Sequence, residues 1–245
     1  MSKVLLVTGG GRGIGAATCR LAAEQGYRVA VNYVRNRPAA ESLVAGLKGS
    51  ALAVQADVAE EAEVERLFDT VERELGHLDV LVNNAGMINR AARVQDMDLA
   101  RLRKIFGTNV FGAMLCARAA VKRMSTRNGG RGGAIVNVSS GFVKSGAPGM
   151  FVDYAASKAA IEVFTIGLAR EVATEGIRVN AVRPGLIDTE IHADGGDAER
   201  AQKARDVAPM KRPGQAEEVA RAILWLASDA ASYTTGAVLD VSGGI

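Results

Sequence analysis

Val4–Thr8 is a short apolar run, and five glycines follow it within seven positions: Gly9, Gly10, Gly11, Gly13 and Gly15. An alanine-rich segment of helical pattern begins there and runs over residues 13–26. A plain strand-to-helix turn has no use for so many glycines, because each costs backbone entropy on folding. They are needed where a chain turns tightly and its backbone must approach a bound group closely. A helix N-terminus at the end of such a turn presents unpaired N–H groups and a dipole that favours an anion. No Gly-Lys-Ser/Thr follows, so this is not a Walker-type loop.

The rest of the chain continues the same alternation. Strands are expected at Val4–Thr8, Arg28–Tyr33, Ala51–Ala56, Leu78–Asn83, Ala134–Ser139, Ile177–Val182 and Ala237–Val241. Helical segments are expected over residues 13–26, 38–48, 60–76, 98–126, 154–175 and 215–228. The strands are continuous apolar runs, as in a parallel sheet covered by helices on both faces. Strict alternation of strand and helix implies right-handed crossovers. The expected fold class is α/β, a single-domain, doubly wound parallel sheet of Rossmann type with about seven strands over residues 1–245. Residues 188–214, with Gly195-Gly196 in the middle, form a long connection of the kind that serves as a lid.

Charge and composition exclude other classes. Thirty basic residues against 27 acidic ones leave a net charge of +3, spread evenly, which suggests neither a nucleic-acid partner nor a membrane surface. No uninterrupted apolar stretch is long enough to span a membrane. Cys19 and Cys116 are far apart in sequence, and each lies in an apolar helical pattern. They read as core residues of a reducing compartment, and with His77 and His192 they do not have metal-site spacing, so no metal is expected. The start of the chain lacks signal-peptide architecture, and a cytoplasmic location is expected.

In this setting the chain resembles the short-chain dehydrogenase/reductase family, in its single-domain branch. Thr8-Gly9-x-x-x-Gly13-x-Gly15 matches the family's cofactor motif, and Asn83-Asn84-Ala85-Gly86 matches its Asn-Asn-Ala-Gly signature. Asp57-Val58, Asn109, Ser139-Ser140, Tyr154-x-x-x-Lys158 and Arg183-Pro184-Gly185 follow in family order and spacing. The resemblance implies a nicotinamide dinucleotide held by Thr8, Gly9, Gly11, Arg12, Gly13, Ile14 and Gly15. It implies further contacts from Asp57 and Val58 near the adenine, and from Asn83, Ala85 and Gly86 along the ribose. Tyr154 and Lys158 would meet the nicotinamide ribose, and Pro184, Gly185, Ile187 and Thr189 the nicotinamide end.

It also implies a catalytic set of Asn109, Ser140, Tyr154 and Lys158. Tyr154 and Lys158 are four apart, so on a helix they share a face. A free tyrosine has a pKa near ~10. An ammonium at roughly 4 Å, with an effective dielectric of about 20, favours the phenolate by about 4 kcal/mol, or about three pKa units. Ser140 would polarise the substrate oxygen; it lies one residue farther from Tyr154 than family spacing places its serine, and Ser139 takes a supporting role. Asn109 is expected to kink its helix and hold a water that leads to Lys158.

The second strand ends at Tyr33 with no acid to take a ribose 2′-OH, while Arg12, Arg35 and Arg37 lie nearby. Arginine forks suit a 2′-phosphate, so NADP(H) is expected in preference to NAD(H). The substrate is expected to be a small carbonyl or alcohol, in a pocket formed by 87–91, 141–153 and the lid, with Phe142, Val143, Met150, Phe151 and Ile191 making it partly apolar. Two alternatives stand beside this. One is a 3-oxoacyl-carrier-protein reductase with a basic docking patch at Lys122, Arg123, Arg127 and Arg131. The other is a dinucleotide-binding regulator without turnover, against which the intact catalytic set argues. The resemblance further implies a homotetramer, with small residues over 155–167 permitting close helix packing.

Overall fold

The computed structural model describes residues 2–245. All seven strands lie in one parallel sheet: β1 (Val4–Val7), β2 (Arg28–Tyr33), β3 (Ala51–Gln55), β4 (Leu78–Asn83), β5 (Gly133–Val138), β6 (Ile177–Pro184) and β7 (Val238–Val241). Their spatial order is β3-β2-β1-β4-β5-β6-β7. The order reverses between β1 and β4, which opens a crevice at the carboxyl ends of those strands.

The helices are α1 (Gly13–Glu24), α2 (Arg37–Gly46), α3 (Glu61–Leu75), α4 (Leu99–Phe106), α5 (Ala113–Met124), α6 (Phe142–Ser145), α7 (Val152–Val172), α8 (Ile191–Asp194), α9 (Ala204–Val207) and α10 (Ala216–Ala227). Period-two alternation along β1 decides what each face of the sheet packs against. Val4 and Leu6 join a core with Phe68 of α3, Cys116 of α5 and Val172 of α7. Leu5 and Val7 join the opposite core with Ala22 of α1, Leu43 of α2 and Ile223 of α10. Both faces are buried, which is why the strands read as unbroken apolar runs. Each fully buried Leu or Phe contributes about 2 kcal/mol of apolar transfer.

Cys19 and Cys116 lie in these two separate cores as free thiols. Burial raises both thiol pKa values, that of Cys116 to about 12. No helix of the described residues is long and apolar enough to cross a membrane.

The helix expected over 98–126 is interrupted. Gly107–Gly112 forms a π-turn between α4 and α5, with Asn109 buried inside it. The extra residue turns the Asn109 amide inward, where it binds the backbone of Met87 in both directions. Residues 188–214 carry α8, a 3₁₀ turn (Arg200–Lys203) and α9.

Three of the four glycines around Arg131 (Gly130, Gly132 and Gly133) have a packing reason. Gly132 has φ +77°, and a side chain there would strike the Gly176 carbonyl. The loop therefore joins α5 to β5 by close backbone contact.

Candidate active site

The crevice at the carboxyl ends of β1 and β4 is part of a cavity of about 1370 Å³. One end of it is the glycine turn. Gly9 has φ +60°, and a Cβ there would lie 2.9 Å from the Ala85 Cα, so only glycine allows the turn and β4 to approach so closely. Arg12, at the N-cap of α1, makes no side-chain capping bond, and the first turn of α1 holds no acid. The helix N-terminus thus meets the cavity with its N–H groups uncapped by a side chain, a fit to an anionic pyrophosphate.

The residues singled out from sequence divide into two groups. Gly9, Gly11, Arg12, Gly13 and Ile14 line the cavity, as do Arg35, Asp57 and Val58. So do Ala85, Gly86, Ser140, Tyr154 and Lys158, and Pro184, Gly185, Ile187 and Thr189 at the other end. Thr8, Gly15, Asn83 and Asn109 stand behind the wall.

Thr8 Oγ1 accepts the backbone N–H groups of Asn84 and Ala85, each at 3.0 Å, and so clips β1 to the end of β4. Gly15 packs so closely that a Cβ would lie 2.6 Å from the Asn84 amide. Asn83 donates to the Ala113 carbonyl and to Asn137 Oδ1, both at 3.0 Å. The amide of Asn109 accepts from Met87 N–H at 2.8 Å, and donates to Met87 O at 3.0 Å and Ser157 Oγ at 2.9 Å.

Asn32 is a site residue that the sequence reading passed over. Its Oδ1 accepts from Gly9 N–H at 3.2 Å, and its amide donates to Ala56 O at 2.8 Å, tying the glycine turn to the end of β3. The available signal was a lone Asn within the apolar second strand.

Asp57 caps its own turn, accepting Ala59 N–H at 3.0 Å, while also facing the cavity. Arg12, within the glycine turn, is bound by Asp194 of α8. Arg37 faces a separate cavity of about 690 Å³ beside β3 and pairs with Glu41 at 3.6 Å.

Tyr154 and Lys158 share one face of α7, as their spacing requires. The start of that helix is fixed by Asp153, whose carboxylate takes the Tyr154 N–H at 2.9 Å and two bonds from Arg101 of α4, at 2.6 and 3.2 Å. The Ser140 hydroxyl stands beside the Tyr154 phenol, and Ser140 Oγ accepts the Phe142 N–H at 3.3 Å. Ser139 points the other way: its hydroxyl donates to Glu162 Oε1 at 2.6 Å. Of the two serines, Ser140 is the one beside the phenol.

The expected electrostatics need correction. Lys158 Nζ lies 5.8 Å from the Tyr154 ring centroid and donates to the Val138 carbonyl at 2.8 Å. Desolvation outweighs its attraction for a phenolate. Burial pushes Tyr154 up to about 12, against a smaller opposing effect of the neighbouring Ser140 hydroxyl. Burial lowers Lys158 to about 8. The phenol is therefore held as an acid beside a weakened ammonium.

The basic residues offered as a carrier-docking patch also need correction. Lys122 and Arg123 end α5, and Arg127 and Arg131 follow it before β5, so they sit at the amino edge of the sheet, away from the cavity. Three of them are already paired: Arg123 with Glu65, Asp69 and Glu72, Arg127 with Glu175, and Lys122 with Glu65.

The model of the enoyl-(acyl carrier protein) reductase family matches residues 9–245. The chain belongs to the short-chain dehydrogenase/reductase family. As a family member it is an oxidoreductase acting on CH–OH or C=O groups. It is 51% identical over 244 residues to the uncharacterized oxidoreductase YgfF of Escherichia coli, covering 98% of this chain and 99% of that one. It is 39% identical over 246 residues to glucose 1-dehydrogenase 2 of Bacillus subtilis, covering 99% and 94%. The crystal structure of 3-ketoacyl-(acyl-carrier-protein) reductase from Brucella melitensis complexed with NADH superposes with a TM-score of 0.91, at 31% identity, over 99% of this chain and 97% of that one.

Proposed function

We propose that this protein, working as one domain, is an NADP(H)-dependent oxidoreductase of a small carbonyl or alcohol substrate, with Tyr154 as its general acid and base. The observation that carries the reading is the convergence of Ser140 and Lys158 on one buried phenol inside the large cavity.

The glycine turn and the N-terminus of α1 would hold the pyrophosphate, with Asp57 and Val58 toward the adenine. Ala85 and Gly86 would meet the ribose, and Pro184, Gly185, Ile187 and Thr189 the nicotinamide. Thr8, Gly15 and Asn83 act through the wall that they brace. Arg12 and Arg35 are the cations available to a 2′-phosphate. When bound, the nicotinamide supplies or accepts the hydride.

Ser140 donates to the substrate oxygen and favours charge developing there. Tyr154, protonated at neutral pH, gives its proton to that oxygen in reduction and takes it back in oxidation. Lys158 stabilises the phenolate left behind and passes protons onward. Both Asn109 amide hydrogens are engaged, so a water leading to Lys158 would be held by main-chain carbonyls of the π-turn or by the second lone pair of Asn109 Oδ1.

The small-substrate reading is favoured over a carrier-bound one because three of the four basic residues near 122–131 are paired and all four lie at the wrong edge of the sheet. Exposed Leu99, Phe111 and Val163 on α4, the π-turn and α7 suit burial between copies, and we assign a homotetramer. Two buried free thiols fit the cytoplasm.

The test is Tyr154→Phe, assayed on a panel of ketones, aldehydes and sugars. Turnover should fall by about a thousandfold while NADPH binding is kept. A near-normal kcat would overturn the mechanism. A kcat/KM with NADH equal to or above that with NADPH would overturn the cofactor preference. A concentration-independent monomer by light scattering would remove the tetramer.

A further inference from the structure

Arg200 stands in the wall of the cavity, on the first residue of the lid's 3₁₀ turn, with its side chain only 12% exposed. Its guanidinium carbon lies 4.5 Å from the centroid of the fully buried Phe151 ring. Phe151 is 5.8 Å from Phe142, and Phe142 meets Tyr154 edge-on at 6.3 Å. Arg200 is thus joined to the catalytic tyrosine by one continuous aromatic cluster.

Stacking satisfies the face of a guanidinium but none of its five N–H donors. Those of Arg200 have poor partners. The nearest carboxylate oxygen, on Asp197, is 3.7 Å away, and Nη1 lies 3.8 Å from the Met150 sulfur. Asp197 is held instead by Lys203 at 2.5 Å. A largely buried guanidinium that lacks a close carboxylate gains a charge-assisted bond when an incoming acceptor reaches it.

Of the other cations on this wall, Arg12 is paired with Asp194, and Lys144 with Asp240 at 2.9 Å and the Ile245 carbonyl at 3.1 Å, while Arg35 follows β2 and Arg103 and Lys104 stand on α4, outside the aromatic cluster that reaches Tyr154. The carboxylates on the wall lie elsewhere. Asp57 and Glu60 follow β3, and Glu190 and Asp194 stand near the glycine turn.

We propose that Arg200 recognises a carboxylate on the substrate, so that the compound reduced is an oxo acid and the compound oxidised a hydroxy acid. The planar fork of Arg200 matches a carboxylate in two-point fashion, and Phe142, Phe151 and Ile88 supply apolar walls for the short carbon chain. This rests on the oxidoreductase reading above and adds the substrate class to it.

The test compares acids with their own esters. 3-Oxobutanoate, 3-oxohexanoate and 4-oxopentanoate are each assayed with NADPH beside their ethyl esters, and binding of the same pairs to the NADP⁺ complex is measured by titration calorimetry. The wild-type protein should favour the acid at least tenfold in one or more pairs. Arg200→Met keeps an apolar stem on Phe151, and should lower kcat/KM and binding for that acid by about 30-fold while leaving the ester within about threefold. Arg200→Lys should fall between the two.

Equal losses for acid and ester would make Arg200 a lid residue only and overturn the proposal, as would a wild-type preference for every ester. Cofactor binding without turnover of any compound, across this set and the wider panel, would instead overturn the oxidoreductase reading. The calorimetric preference for acid over ester still decides the role of Arg200 in that case.

Discussion

Glu162 and Arg183 are joined by two hydrogen bonds, Arg183 Nε to Oε1 at 2.8 Å and Nη2 to Oε2 at 2.6 Å. The pair ties α7 to β6, and Glu162 also holds Ser139, directly beside Ser140. The Glu162 carboxylate raises the Arg183 pKa. Arg183→Met leaves Glu162 unpaired in a site where its side chain is only 10% exposed. The expected loss is about 3 kcal/mol, seen as a fall in urea midpoint. Adding Glu162→Met should recover most of it, because no buried charge then remains. A double variant as unstable as the single one would show that the pair matters for packing alone.

Lys158 makes stability depend on alkaline pH. Its folded-state pKa is lowered to about 8 from 10.5, so between those values the unfolded chain binds more protons than the folded one. Stability therefore rises with pH in that window. Integrated from pH 7.5 to 9.5, the gain is about 2 kcal/mol relative to Lys158→Met. Tyr154 acts in the opposite sense only above its ordinary value of 10, since burial raises it to about 12. Parallel urea-midpoint curves for wild type and Lys158→Met across this range would refute the assignment.

Gly86 separates stability from activity. A Cβ at this position would lie 3.1 Å from Lys158 Nζ, the far end of a flexible side chain. Gly86→Ala should cost under about 1 kcal/mol in stability, because a lysine tip moves cheaply. It should lower kcat at least tenfold, because Lys158 is pushed from its place near Tyr154. Steady-state kinetics beside a thermal melt tests both halves.

Asp194 competes for Arg12. Their ion pair is half-exposed and so contributes about 0–1 kcal/mol. Asp194→Asn frees the guanidinium for a phosphate and should tighten NADPH binding about threefold. Arg12→Ala should weaken NADPH binding more than NADH binding. Fluorescence titration of both cofactors measures the ratio.

Much of the fold was legible in the chain because its signals are local. β1 reads as Val-Leu-Leu-Val because both of its faces are buried, and the glycine turn stands where strand meets helix. Tyr154 and Lys158 share a helical face by spacing alone. The π-turn at Asn109 was not legible, since it depends on a backbone partner at Met87, distant in sequence. The four residues Lys122, Arg123, Arg127 and Arg131 look like a basic patch in one dimension, and only the fold pairs three of them with acids from other segments.

The amino-acid sequence by itself determined the parallel sheet, the glycine cradle and the identity of the Tyr154–Lys158 pair, because hydrophobic period, glycine position and helical spacing are properties of neighbouring residues. Tertiary structure decided which serine meets the phenol, since Ser139 is drawn to Glu162 and Ser140 is left facing Tyr154. It also decided the protonation balance. The burial that raises Tyr154 and lowers Lys158 arises only when the 141–153 loop and the strand ends close around them, and desolvation depends on what surrounds a group in space.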